Sequence, residues 1–127
     1  MNLRLIAVAL AATLFATGAL AQASANLDAF VTSANRVPLN PTAMLRADAR
    51  RLMRESEAGI GAVRAEIAAA RAAGRTPPAC TPEKISVNPR QLLAFMNAIP
   101  RERRLRMSVT DGFRAWMADR YPCPRQP

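Results

Sequence analysis

Two cysteines constrain this chain more than any other feature. Cys80 lies in "PPACTP" and Cys123 in "YPCP", both among prolines, in a chain of 127 residues that has no other cysteine. Whether they are joined depends on where the protein goes, because disulfides persist in oxidising compartments and are rare elsewhere. The amino terminus answers this. "MNLRLIAVALAATLFATGALAQA" has a short leading region with Arg4, an apolar run from Leu5 to about Thr17, and Ala19 and Ala21 placed as a cleavage signal requires. It reads as a secretory signal peptide, residues 1–21, cut before Gln22. A transmembrane anchor is the weaker reading, since the run falls short of the roughly 20 apolar residues that a spanning helix needs. No lipobox cysteine follows, and no later segment is long and apolar enough to serve as a membrane anchor. The expected product is a periplasmic, soluble protein of about 106 residues, one domain with a modest core that gains from a covalent staple.

In that compartment an even count of two cysteines forms one disulfide, and only the pairing Cys80–Cys123 exists. Closing a loop of that size removes roughly 4 kcal/mol of unfolded-chain entropy in the loop-closure model. A reactive thiol or a metal pair is the competing reading. The chain has no histidine and no C-x-x-C, which disfavours it.

The remaining sequence is punctuated into helices. Residues 24–36, "SANLDAFVTSANR", either form a short helix with Leu27, Phe30 and Val31 on one side or are a flexible lead-in, and the domain boundary is accordingly drawn at 41, with 22–40 as lead-in. Asn40 suits an N-cap and Pro41 the first helical position, where a missing N–H is not needed. From Leu45 the positions Ala49, Leu52, Ser56, Ile60, Val63, Ile67 and Ala70 step by three or four, one face of a long amphipathic helix, which Gly74, Pro77 and Pro78 stop. Gly59 and Gly61 inside it each cost up to about 1 kcal/mol relative to alanine. They mark either a kink or, as favoured here, close helix packing against a surface without side chains.

"NPRQLLAFMNAI" repeats the start signal, with Asn88 as N-cap, Pro89 first, and Gln91 placed as a capping-box partner. Leu92, Leu93, Met96 and Ile99 supply its core stripe. After Pro100 bends the chain, Leu105, Val109, Phe113 (or Gly112) and Trp116 recur at helical spacing until Pro122. Strand signals are almost absent. The expected fold for 41–127 is all-α, a small bundle of about four helices stapled by one disulfide.

Catalytic chemistry is hard to find. Histidine is missing, both thiols are expected to be oxidised, and glycine-rich phosphate loops, G-x-S-x-G and S-x-x-K do not occur. Glu55 and Glu57 lie about 200° apart around a helix and cannot share a site there. Neither enzyme activity nor a cofactor or metal site is expected. Charge is the positive feature. The formal net charge is +9, and the excess sits late: residues 22–74 hold seven arginines against five acids, residues 75–127 ten basic residues against four acids. "RERRLR" places Arg101, Arg103, Arg104 and Arg106 just after the proline bend, which would concentrate positive potential on one corner. Base composition and a solvated face account for it equally well. A nucleic-acid role is disfavoured, since the chain is exported and has no aromatic platform.

Four stretches, "AGIGAVRAEI", "ACTPEKISVNPRQLLAFM", "AIPRERR" and "GFRAWMADRYPC", resemble in order and spacing the Tai/Rap-type immunity proteins of type VI secretion systems. Those proteins typically show a G-Y-x-x-G-like helix, a C-x-P loop leading into a Q-L helix, a proline ending that helix, and a terminal helix closing in F-P-C or Y-P-C. The likeness covers about residues 52–124, and the surroundings of Cys80 and Cys123 are its most specific part. Family members often carry a further cysteine near the position of Ser56 and an aromatic at that of Ile60; this chain has neither. The resemblance implies a small, helical, often homodimeric periplasmic protein that blocks a peptidoglycan amidase effector. It also implies that the staple ties the loop before the third main element to the end of the last helix.

Two functions therefore compete. One is an inhibitory binding protein that occludes an amidase's active site, with Arg101, Arg103 and Arg104 as the candidate contact and the Cys80 loop as the other. The alternative is a periplasmic stress or chaperone-like helical protein without a dedicated effector. Without histidine, an acid switch of the kind such proteins use would rest on the nine carboxylates alone. A third possibility is binding of an anionic envelope polymer through the arginines.

Overall fold

The structure, a computed structural model, describes residues 23–125; the signal peptide expected at 1–21 lies outside them. Among the described residues the chain forms helices and no strand. α1 spans Leu27–Asn35, α2 Ala47–Ala72, α3 Pro89–Ala98, α4 Arg101–Arg104 and α5 Val109–Arg120, and a 3-10 turn, Pro41–Leu45, precedes α2. Cys80 and Cys123 are joined, with Cα atoms 4.8 Å apart. This is the expected all-α bundle with one staple.

α2 is the backbone of the bundle. Ala49, Leu52, Gly59, Val63, Ile67 and Ala70 are buried along one face, as the spacing requires. Its end is a Schellman motif: Gly74 takes φ +67°, the Arg75 N–H donates to the Ala70 carbonyl at 2.8 Å, and the Gly74 N–H to that of Arg71 at 3.1 Å. Its start differs from expectation. Asn40 does cap, accepting the Ala43 N–H at 3.2 Å with Pro41 in the first position, but what it caps is the 3-10 turn. At Arg46 the backbone returns to an extended conformation before α2 begins. That break resets the helical phase, so Leu45, counted on the buried stripe, is 79 % exposed. A three-to-four spacing places residues on one face only along a continuous helix.

The boundary drawn at residue 41 is also corrected. The segment 24–36 adopts its helical alternative, and α1 belongs to the core: Leu27, Phe30 and Val31 are buried. Asn26 caps it, accepting the Ala29 N–H at 2.8 Å, and the Leu27 N–H donates to the Met107 carbonyl at 2.8 Å. A 22–40 lead-in standing apart from the domain is thus not what forms, because three large apolar side chains on one face have more to gain from burial than from water.

α5 packs along α2. The approach depends on Gly59, where a Cβ would stand 2.7 Å from the Phe113 ring, so close packing rather than a kink explains this glycine, and α2 runs on unbroken. Gly61 is corrected: it is exposed, and nothing lies within 4 Å of where its Cβ would be. Two positions along a helix turn the chain by about 200°, so the pair cannot share one contact. Phe113 meets Phe30 edge-on at 6.0 Å between centroids, which joins α1, α2 and α5 in one core with Met96 of α3. Leu92, Met96 and Ile99 are buried as expected, with Leu93 partly so.

The single helix expected after Pro100 is two. α4 is one turn, and α5 starts afresh at Val109 because Ser108 offers a complete capping box: its hydroxyl accepts the Asp111 N–H at 3.0 Å, and Asp111 accepts the Ser108 N–H at 2.9 Å. Leu105, falling between the two, is 43 % exposed rather than core.

Candidate functional site

The three arginines singled out beyond Pro100 do not behave alike. Arg101 and Arg103 are exposed on α4, and so is Arg106 just after it. Arg104 turns inward. Its Nε donates to Asp28 Oδ1 of α1 at 3.1 Å, and its Nη1 donates to the carbonyls of Asn97 and Ile99 at 3.2 Å each, so it closes the end of α3 as well as pairing with α1. Its side chain is 14 % exposed, and Asp28 is the one charged residue in the described core. Arg101 Nε lies 3.6 Å from Asp28 Oδ2. Of the candidate contacts Arg101, Arg103 and Arg104, the first two stand exposed together with Arg106, while Arg104 lies beneath them, held to α1 and to the end of α3. A spacing of one residue between Arg103 and Arg104 is enough to put one outside and one inside on a helical turn.

The Cys80 loop is drawn in at its base. Ala79 is fully buried, the Cys80 N–H donates to the Tyr121 carbonyl at 2.9 Å, and the disulfide fastens the same two segments. Tyr121 in turn stacks edge-on to Trp116 of α5 at 6.4 Å. The staple thus joins the loop before α3 to the end of α5.

A second charged cluster ties α2 to α5. Arg114 donates to both Glu66 oxygens, at 2.7 and 2.6 Å, and to Asp111 at 2.6 Å. Hydrogen bonds from Arg114 hold the Glu66 carboxyl below its ordinary range. The Ser108 backbone N–H, with Arg114, does the same for Asp111, and the two carboxylates raise the pKa of Arg114. The arrangement is a bidentate clamp with no open coordination position, and it reads as structural. Glu55 is likewise engaged, accepting the Ser24 hydroxyl at 2.9 Å and the Ser24 N–H. Among the described residues no cluster of three or more His, Cys, Asp or Glu is arranged to hold a metal ion, and no helix is long and apolar enough to cross a membrane.

One concavity was missed in the sequence. A groove of about 850 Å³ opens between the 37–44 segment, α2 and the start of α3. Buried Phe30, Leu52, Leu92 and Met96 contribute to its lining. Leu39, Met44, Met53 and Val87 also line it and are 46, 49, 46 and 37 % exposed. The only charged residues in the lining are Glu57 and Arg90. A signal did exist: "VPLNPTAML" carries five apolar side chains besides its prolines in a stretch read only as punctuation. No protein-family model, curated protein or solved structure matches this chain.

Proposed function

We propose that the protein is a periplasmic inhibitory binding protein that covers the active-site cleft of a cell-wall-degrading amidase effector. The observation that carries the reading is the α4 corner. Arg101 and Arg103 on α4 and Arg106 just after it are exposed to solvent, and the turn that carries them is pinned from beneath by Arg104 to Asp28 and to the end of α3. A surface ordered before it binds loses little entropy on association, and its positive charge speeds encounter with an acidic cleft in a salt-dependent way. The class of partner comes from the resemblance to Tai/Rap-type proteins, which are often homodimers.

The test is association kinetics with a cell-wall amidase encoded by a neighbouring gene, at low and high salt. Charge reversal at Arg103 and Arg106 together should slow association roughly tenfold at low salt, converge with wild type at high salt, and leave melting unchanged. Arg104 is kept out of that variant because its reversal would place two negative charges against each other at Asp28. Unaltered kinetics would remove the corner from the interface. No binding of the wild type to that amidase would reject the inhibitory reading.

A chaperone-like role is the second reading, favoured by the apolar groove. It predicts suppression of aggregation of many unrelated unfolded chains at equimolar protein.

A further inference from the structure

The groove between the 37–44 segment, α2 and α3 has a shape and charge of its own, separate from the α4 corner. On α3 it draws on residues from Pro89 to Met96, whereas the corner follows that helix's C-terminal end. We propose that this groove docks an acidic amphipathic helix of a partner protein, apolar face inward. The inference is independent of the amidase reading.

The groove is preformed. One wall hangs from the Asn40 cap of the 3-10 turn. Asn35 and Asn97 exchange two hydrogen bonds at 3.0 Å, fastening α1 to α3, and Arg64 of α2 donates to the Glu83 carbonyl at 2.9 Å, steadying the loop that brings Val87 to the rim. What these elements hold open is apolar and half in water. A contiguous exposed patch of large apolar side chains marks an interaction surface in a soluble protein.

The same half-exposure selects the occupant. A small amphiphile is ordinarily enclosed, with most of its surface buried; here a ligand would keep one flank in solvent. That suits a helix with one apolar stripe and one polar face. Met44 and Met53 line the groove half in solvent, and unbranched, polarisable methionine side chains adapt to the irregular stripe of such a helix.

Charge then sets the sign of the partner. Along α2, Arg50 and Arg54 stand three residues before and one residue after Met53, on the outward side of the groove-lining row, and Arg90 lies in the lining itself. Arg54 and Arg90 are exposed, and neither is in an ion pair among the described residues. Against these stands Glu57. A helix laid in the groove would carry its flanking polar residues past the arginines, so carboxylates there are attracted and lysines repelled.

The probe is a fluorescein-labelled synthetic peptide of about 18 residues, with leucines at i, i+3, i+4 and i+7 and glutamates on the other face. Its counterpart has lysine for every glutamate. Fluorescence anisotropy with the intact, disulfide-bonded protein should show saturable binding of the acidic peptide, at least about tenfold tighter than the lysine peptide and weakened by salt. Met53→Asn and, separately, Val87→Asn should each weaken it by about tenfold without altering net charge; both side chains are half-exposed, so melting should stay near wild type. Arg54→Glu with Arg90→Glu should weaken binding and flatten its salt dependence. The proposal is overturned if the acidic peptide does not saturate, if the two peptides bind alike, or if neither asparagine variant matters, which would mean attraction to net charge alone. It is also overturned if phosphatidylglycerol vesicles bind in the groove-dependent manner and the peptide does not.

Discussion

At residue scale the two glycines of α2 make opposite predictions. At Gly59 a methyl group would press on the Phe113 ring, which is fully buried and locked against Phe30, so Gly59→Ala should destabilise by about 1–3 kcal/mol despite the better helix propensity. Gly61 faces open space, and Gly61→Ala should stabilise by up to about 1 kcal/mol. Urea unfolding of the two variants side by side checks both. The sequence supplied the reason for a glycine in α2 without saying which of the pair needed it, because the answer lies in where α5 crosses, some fifty residues away. Arg104 has the same character. Nothing in "RERRLR" marks one arginine as buried; the mark is Asp28, on a helix 76 residues earlier in the chain.

The elements themselves were more legible than their joints. The Asn88 cap, the stripe of α3, that of α2 from Ala49 onward and the Gly74 stop are local signals, written within a turn or two of where they act, and they appear as read, whereas the Asn40 cap opens a 3-10 turn instead of the long helix. The break at Arg46 and the restart at Ser108 were missed because apolar spacing happened to continue across each. The α2–α5 joint was not legible at all, since Arg114, Glu66 and Asp111 are ordinary surface charges until the two helices lie together. That joint predicts acid sensitivity. The Glu66 and Asp111 carboxyls are depressed in the folded state, so the stabilisation they give is present above their ordinary values near pH ~4 and is lost as pH falls through the depressed ones. Stability measured by urea unfolding should fall with decreasing pH below about 4, and Glu66→Gln should make that fall shallower. An unchanged slope would detach the clamp from the acid response.

For the whole molecule, the disulfide is the feature that an even count of two cysteines made most plainly readable, and the apolar groove is the one that stayed hidden. Cys80 and Cys123 span 43 residues, and the bond ties the segment leading into α3 to the end of α5. Replacing either cysteine by serine should lower stability by roughly 2–5 kcal/mol, seen as a lower urea midpoint that reductant does not shift further. Loss of the staple should also loosen the end of α5 and the start of α3 in amide exchange before it loosens the α1–α2–α5 core around Phe113.

The proposed function is occlusion of a cell-wall amidase by this stapled bundle. Its most direct test is a titration: peptidoglycan hydrolysis by a cell-wall amidase encoded by a neighbouring gene, measured as increasing amounts of the oxidised protein are added. The account predicts a linear loss of activity that reaches baseline near one protein per amidase, with Arg103→Glu, Arg106→Glu protein acting more weakly at low salt. Full hydrolysis in the presence of excess folded, oxidised protein would contradict it.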